Sequence, residues 1–174
     1  SYGTRAALVY LRQHPERVRS VVLDGVAPTG MRMPVSIGED ARRSVEQMLA
    51  GCETDTDCSS AFPRVRAKYD ELLVRLQAAP ESISAPHPRT GEILELDIKR
   101  EHVVFLLRAA LYSAETARLL PLVIERAHVG DYGPMLALSD PIVEGVSEMN
   151  VAMMFSVLCA EDISWVTEED WHMI

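Results

Sequence analysis

Residues 1–28 read SYGTRAALVYLRQHPERVRSVVLDGVAP. Over 4–14 the apolar residues recur at helical spacing and Pro15 ends the pattern, which predicts a buried helix. Residues 19–26 are rich in Val and Leu, and Pro28 follows them closely, which is typical of a strand covered on both faces in a parallel sheet. A helix followed by such a strand predicts an α/β arrangement.

The remaining residues, 31–174, show mostly helical patterns. A weak alternation on both sides of 86–91 predicts a short hairpin with strands near 82–85 and 93–97. One strand cannot form a sheet, so the neighbours of 19–26 must come from elsewhere. Apolar positions three and four residues apart predict helices over 39–50, 59–79, 99–112, 114–129, 131–138 and 148–160.

The composition is that of an ordinary soluble globular protein. The 174 residues are 48% hydrophobic and 25% charged, which excludes a disordered chain, collagen and a coiled coil. No apolar run approaches the roughly 20 residues that span a bilayer, so we expect no membrane-spanning segment. The net charge of −9 argues against a nucleic-acid partner. Residues 130–174 carry nine acids and no Lys or Arg, which indicates either a solvated surface or a field that attracts cations.

Ser1, Tyr2 and Gly3 stand directly before the first predicted helix. They match the second half of a nucleophile elbow, in which a Ser on a sharp strand-to-helix turn needs small neighbours such as Gly3. The helix dipole and the backbone N–H of Tyr2 could stabilise an oxyanion there. Because Ser-x-Gly is common by chance, the alternative that Ser1 is a simple helix cap stays open.

Residues 1–28 resemble the elbow, helix and following strand of α/β-hydrolases of the proline iminopeptidase and tripeptidyl aminopeptidase type. The elbow of that family is Gly-Gly-Ser-Tyr-Gly, so Ser1 matches the nucleophile while the two preceding glycines are missing. Residues 52–62, 87–92 and 156–162 resemble the family's helical cap. The resemblance implies an α/β-hydrolase fragment, mostly α with one core strand and a short β-hairpin. Its parts would be a core segment over 1–30 and a helical cap over 31–174.

The activity that the resemblance implies is serine-dependent acyl transfer. Ser1 would attack a carbonyl, a His would take its proton and an acid would orient the His. The preferred substrates are peptides cleaved at their N-termini by an aminopeptidase, and a small ester is the alternative; no cofactor is expected. The family's acid and His follow the cap, and its upstream His-Gly-Gly-Pro-Gly loop is absent. No substitute motif surrounds the five histidines, which are His14, His87, His102, His128 and His172.

We therefore expect a fragment or a processed chain that is inactive alone. Its partner would be the remainder of the hydrolase core, which supplies the missing sheet, the triad Asp and the triad His. The absence of an initiator Met and of a signal-peptide pattern favours the same interpretation.

Glu161 and Asp162 are the candidate substrate-binding residues. An aminopeptidase must hold a free N-terminal ammonium, and a cap carboxylate above the Ser can do so by a charge-assisted hydrogen bond. The alternative is a solvated pair of acids at the end of a helix.

Cys52 and Cys58 enclose a five-residue polar loop, a span that a disulfide closes easily. A disulfide predicts an oxidising compartment, periplasmic or secreted. A metal site is the alternative, but zinc needs more ligands than these two thiols supply. Cys159 lies in an apolar helical pattern and is predicted to be a buried free thiol.

Three alternatives to the aminopeptidase remain. The same elbow serves a generic carboxylesterase. An N-terminal nucleophile hydrolase would use the amine of Ser1 as its base, but such enzymes place the nucleophile on a strand, and Ser1 leads into a helix. The third is an isolated non-catalytic cap that acts as a structural or substrate-binding module.

Overall fold

The computed structural model of the chain describes residues 2–33, 35–147 and 150–171. The chain is 66% helical with a two-stranded antiparallel sheet, which confirms the mostly helical content predicted from the sequence. In chain order the elements are α1 (Tyr2–Gln13), α2 (Val35–Thr54), α3 (Thr56–Ala61), α4 (Val65–Ala78), β1 (Glu81–Pro86), β2 (Ile93–Ile98), α5 (Arg100–Ala110), α6 (Ala114–Ala117), α7 (Leu120–His128), α8 (Gly133–Ser147), α9 (Val151–Glu161) and α10 (Glu168–Trp171).

The chain forms two compact units. The terminal unit consists of the described residues within 1–39 and 151–174, and the middle unit is Asp40–Asn150. This division differs from the boundary expected at residue 30, because the last two helices belong with the N-terminal segment. The assignment of these parts to a hydrolase core and a cap stays a prediction.

The core strand expected over 19–26 is absent from the described structure. This segment has no strand partner, and Val21, Val22 and Val26 are exposed, with Val22 at 95%. A strand needs a neighbour to bond its N–H and C=O groups, and the strands of the described residues, β1 and β2, pair with each other in the middle unit. The prediction of a strand was therefore wrong for this segment within this chain.

The hairpin of the middle unit agrees with the sequence. β1 and β2 pair antiparallel from Glu81 opposite Ile98 to Pro86 opposite Ile93. The connection contains Gly91 with a positive φ of 72°, a conformation that L-residues with a side chain rarely adopt.

Two predicted helices are each divided in the structure. The one expected over 59–79 becomes α3 and α4, since the chain turns between them and Arg64 takes a left-handed φ of 60°. The one expected over 114–129 becomes α6 and α7. Pro121 lies in the first turn of α7. The N–H groups of a first turn have no carbonyl acceptor within the helix, so a proline at this position removes no helical hydrogen bond.

The hydrophobic core lies in the middle unit. Helices α2, α4, α5, α7 and α8 contribute most of it, and the side chains of Leu49, Leu72, Leu107 and Ile124 are completely buried. Burying a side chain of this size stabilises the fold by roughly 1.5–3 kcal/mol. Lys68 Nζ bonds both carboxylate oxygens of Glu125, at 2.7 and 2.6 Å, and so joins α4 to α7 beside this core.

Cys52 and Cys58 form a disulfide, as the sequence predicted. It connects the last turns of α2 to α3 across a sequence separation of six residues, with a Cα–Cα distance of 5.1 Å. Asp55 lies within this loop and caps α3, accepting a hydrogen bond from Cys58 N at 2.8 Å. Over the described ranges, no helix has the length and apolar character needed to cross a bilayer.

Removal of the disulfide should destabilise the middle unit. We expect the double variant Cys52→Ala/Cys58→Ala to lose about 2 kcal/mol of unfolding free energy, because the open loop gains entropy in the unfolded chain. Guanidinium unfolding followed by far-UV circular dichroism measures the loss. The matched control is Cys159→Ala, whose thiol is free and exposed. An unchanged midpoint in the double variant would contradict a stabilising disulfide.

Candidate functional site

The predicted nucleophile, Ser1, lies outside the described residues. Tyr2 is the first residue of α1, and the first N–H groups of a helix have no carbonyl acceptor within it. The backbone N–H of Tyr2 therefore lies at the positive end of the helix dipole, and its role as an oxyanion donor stays a prediction.

The structure brings two of the predicted site residues together. Tyr2 Oη donates a hydrogen bond of 2.7 Å to Glu161 Oε1, although 159 positions separate the two residues. Both side chains are exposed. This hydrogen bond, together with the negative charge of Glu161, raises the pKa of Tyr2 above its ordinary value of 10.0. Glu161 thus stands beside the residue that follows the predicted nucleophile.

Asp162 is buried and already paired. Arg5 Nη1 donates to both of its carboxylate oxygens, at 2.8 and 3.0 Å, and the Asp162 side chain is only 4% exposed. Arg5 Nη2 donates to the carbonyls of Met31 (3.2 Å) and Thr29 (3.5 Å). The guanidinium therefore joins α1, the loop after it and the end of α9. The Asp162 carboxylate is therefore bound within the terminal unit, whereas the Glu161 carboxylate is exposed.

Further polar contacts hold the terminal unit. The hydroxyl of buried Thr4 accepts a hydrogen bond of 3.0 Å from Ala27 N. Arg32 Nη1 donates to Asp170 Oδ2 at 2.6 Å, and the N–H and hydroxyl of Thr167 donate to the same oxygen, each at 2.9 Å. The Thr167 backbone, its hydroxyl and the Arg32 charge lower the pKa of Asp170, so its carboxylate stays ionised.

Helix α9 is exposed to solvent. Its sequence, VAMMFSVLCAE, is almost entirely apolar, yet none of its residues is buried, and Met153 and Phe155 are more than half exposed. Cys159 is likewise an exposed free thiol, so the prediction that it is buried was wrong. The apolar pattern correctly indicated a helix, but it could not show whether another part of this chain covers that helix.

Three of the four described histidines, which are His87, His102 and His128, contact polar groups of the middle unit. His14 directly follows the last residue of α1, and at a rise of 1.5 Å per residue it lies about 18 Å along the helix axis from Tyr2. His87 pairs with Asp140 and His128 with Glu71, while His102 accepts from Lys99 N. His172 lies outside the described residues. Across the described part of the chain, no group of three or more His, Cys, Asp or Glu side chains could hold a metal ion.

The comparisons with known proteins found no matching family model, curated protein or solved structure.

The sequence analysis missed Arg5 and Arg32. Both are basic residues of the N-terminal segment that bind buried acids of the C-terminal segment. The available signal was the charge distribution, since residues 130–174 contain acids and no Lys or Arg. Any acid buried in that segment must take its cationic partner from another part of the chain.

The Arg5–Asp162 pair should be strongly coupled. A double-mutant cycle compares Arg5→Ala, Asp162→Ala and the double variant. We expect a coupling energy of about 2 kcal/mol, because either single variant leaves one largely buried charge unpaired. Urea unfolding followed by tryptophan fluorescence measures it. Both tryptophans of the chain, Trp165 and Trp171, belong to the terminal unit.

The matched control for that cycle is the exposed pair Arg17–Glu16, with an N–O distance of 3.5 Å in the same unit. No measurable coupling is expected there, because solvent screens both charges. Equal coupling energies for the two pairs would contradict the role given to Arg5.

The Tyr2–Glu161 contact should be visible in a pH titration. Replacing Glu161 by Gln removes the negative charge that opposes phenolate formation, so the pKa of Tyr2 should fall toward 10.0. The contact therefore stabilises the folded state below pH 10 and loses its effect as the pH rises through the folded pKa. NMR of ¹³Cζ-labelled tyrosine follows the titration. Glu169→Gln, in α10, is the control and should leave the pKa unchanged.

Proposed function

We propose that the chain is the elbow-and-cap part of a serine hydrolase with the α/β-hydrolase fold. The preferred activity is that of an aminopeptidase releasing residues or short peptides from peptide N-termini. The observation that carries this proposal is the hydrogen bond between Tyr2 and Glu161. It puts an exposed carboxylate next to the residue that follows Ser1, where a substrate's free ammonium would need a partner.

Each residue has a defined role in the proposed reaction. Ser1 Oγ attacks the substrate carbonyl carbon, while a His supplied by the remainder of the core takes the Ser proton and then gives it to the leaving amine. The backbone N–H of Tyr2 stabilises the oxyanion. Water hydrolyses the acyl-enzyme and frees Ser1.

Glu161 would bind the α-ammonium of the substrate. A carboxylate has about four lone-pair sites, so the bond from Tyr2 leaves capacity for a second donor. Asp162 would act through position alone, because its pairing with Arg5 fixes the end of α9 beside α1. A free amine held at a fixed distance from Ser1 would limit cleavage to bonds near the N-terminus.

The exposed apolar segments support a partner that supplies the rest of the core. Val21 and Val22 lie in a sequence typical of a strand covered on both faces, yet they face solvent here. A partner that covered these valines would remove their apolar side chains from water. The proposed partner is the hydrolase core that carries the sheet, the triad Asp and the triad His.

The proposed location is the periplasm or the outside of the cell. The disulfide between Cys52 and Cys58 supports it, since such bonds persist in oxidising compartments.

Activity should require both the free amine and Glu161. The substrates are aminoacyl and tripeptidyl anilides, their N-acetylated forms and a p-nitrophenyl ester. They are tested with this chain and with a longer polypeptide that carries the missing core. We expect activity only in the longer form and complete loss in Ser1→Ala. Glu161→Gln should lower kcat/KM for the free-amine anilides at least about tenfold, the effect of losing a charge-assisted hydrogen bond, and leave the ester rate unchanged.

Other outcomes would favour different functions. Cleavage of the ester alone would indicate a carboxylesterase and remove the role given to Glu161. Activity of this chain by itself would mean that a base lies within its own residues. Binding of the peptides without hydrolysis in either form would indicate a substrate-binding module.

A further inference from the structure

A cleft of about 620 Å³ opens in the middle unit beside the Cys52–Cys58 disulfide. Residues of α2, of the α2–α3 connection and of the segment from the end of α5 to α7 line it. Its volume falls within the roughly 300–1,000 Å³ of small-molecule sites. Met48, Leu111 and Pro121 give it apolar walls that can cover a hydrocarbon side chain.

Two opposite charges face this cleft without neutralising each other. Asp55 and Arg118 both line it, and no ion pair joins them. Asp55 Oδ1 accepts the capping hydrogen bond from Cys58 N, which leaves the second carboxylate oxygen for another donor. Throughout the ranges that the structure describes, the Arg118 guanidinium makes no hydrogen bond or ion pair. The cleft therefore offers one anionic and one cationic group together with apolar walls.

We propose that this cleft binds a small zwitterion with an apolar side chain, that is, a free amino acid or a dipeptide. Arg118 would bind the carboxylate and Asp55 the ammonium, each by charge-assisted hydrogen bonds. Met48 and Leu111 would pack against the side chain. Gln47, whose amide both donates and accepts, would bind the ligand's own amide group.

The charges on the cleft select this ligand class over simpler ones. A purely anionic ligand would pair with Arg118 but would be repelled by Asp55. A purely cationic ligand would pair with Asp55 but would be repelled by Arg118. A neutral apolar ligand would pair with neither charge and would gain only contacts with the apolar walls. Only a ligand with both charges satisfies both groups. The inference does not rest on the proposed hydrolase activity.

The dipeptide Leu-Leu is the probe, titrated into the ¹⁵N-labelled chain and followed by amide NMR. Saturable shifts are expected for residues 44–58 and 111–121. Arg118→Gln and Asp55→Asn should each weaken binding at least about tenfold, since each removes one charge-assisted contact. Asn caps helices as well as Asp does, so Asp55→Asn keeps α3 intact. Arg43→Gln is the matched control, because Arg43 lies on α2 outside the cleft lining.

Two modified probes separate the contacts. N-acetyl-Leu-Leu lacks the ammonium and should bind more weakly, with no further loss in Asp55→Asn. Leu-Leu amide lacks the carboxylate and should show no further loss in Arg118→Gln. The proposal would be overturned if no saturable shifts appeared or if the shifts lay outside the cleft. It would also be overturned if both variants affected both modified probes equally. Spectra of the free variants that match the parent spectrum would show that the fold is retained.

Discussion

The ion pair between Arg5 and Asp162 is the contact on which the terminal unit depends. A carboxylate buried as deeply as that of Asp162 is tolerated only with a charged and hydrogen-bonded partner, and Arg5 supplies two donors to it. This pairing fixes the end of α9 beside α1. The neighbouring residue, Glu161, is thereby held within hydrogen-bond distance of Tyr2. The geometry of the candidate site is therefore a consequence of a structural ion pair.

The two units are stabilised by different interactions. In the middle unit an apolar core extends over several helices and the hairpin, and a disulfide and ion pairs surround it. In the described part of the terminal unit, the buried side chains include the polar Thr4, Asp162 and Asp170, while the apolar surface of α9 faces solvent. A partner that covered α9 would remove this apolar surface from water and so add hydrophobic stabilisation.

Local features were predictable and long-range ones were not. The hairpin, most helices and the Cys52–Cys58 disulfide follow from alternation, helical spacing and a short loop, which involve residues close in sequence. The prediction of a strand over 19–26 was wrong because a strand forms only where a neighbouring strand accepts and donates its backbone hydrogen bonds. The prediction that Cys159 is buried was wrong for the same reason, since an apolar helical pattern does not show which part of the chain covers the helix. The Arg5–Asp162 pair joins residues 157 positions apart, beyond any local pattern.

The order of the chain has a consequence for how the protein folds during synthesis. The terminal unit is discontinuous, because the whole middle unit is inserted between its two segments. Closing a loop of that length costs entropy while the insert is unfolded, whereas a folded insert holds its two ends at a fixed separation. We therefore expect the middle unit to form first. Helix α1 would leave the ribosome before the middle unit, and Arg5 would find its partner Asp162 only after the middle unit has been made.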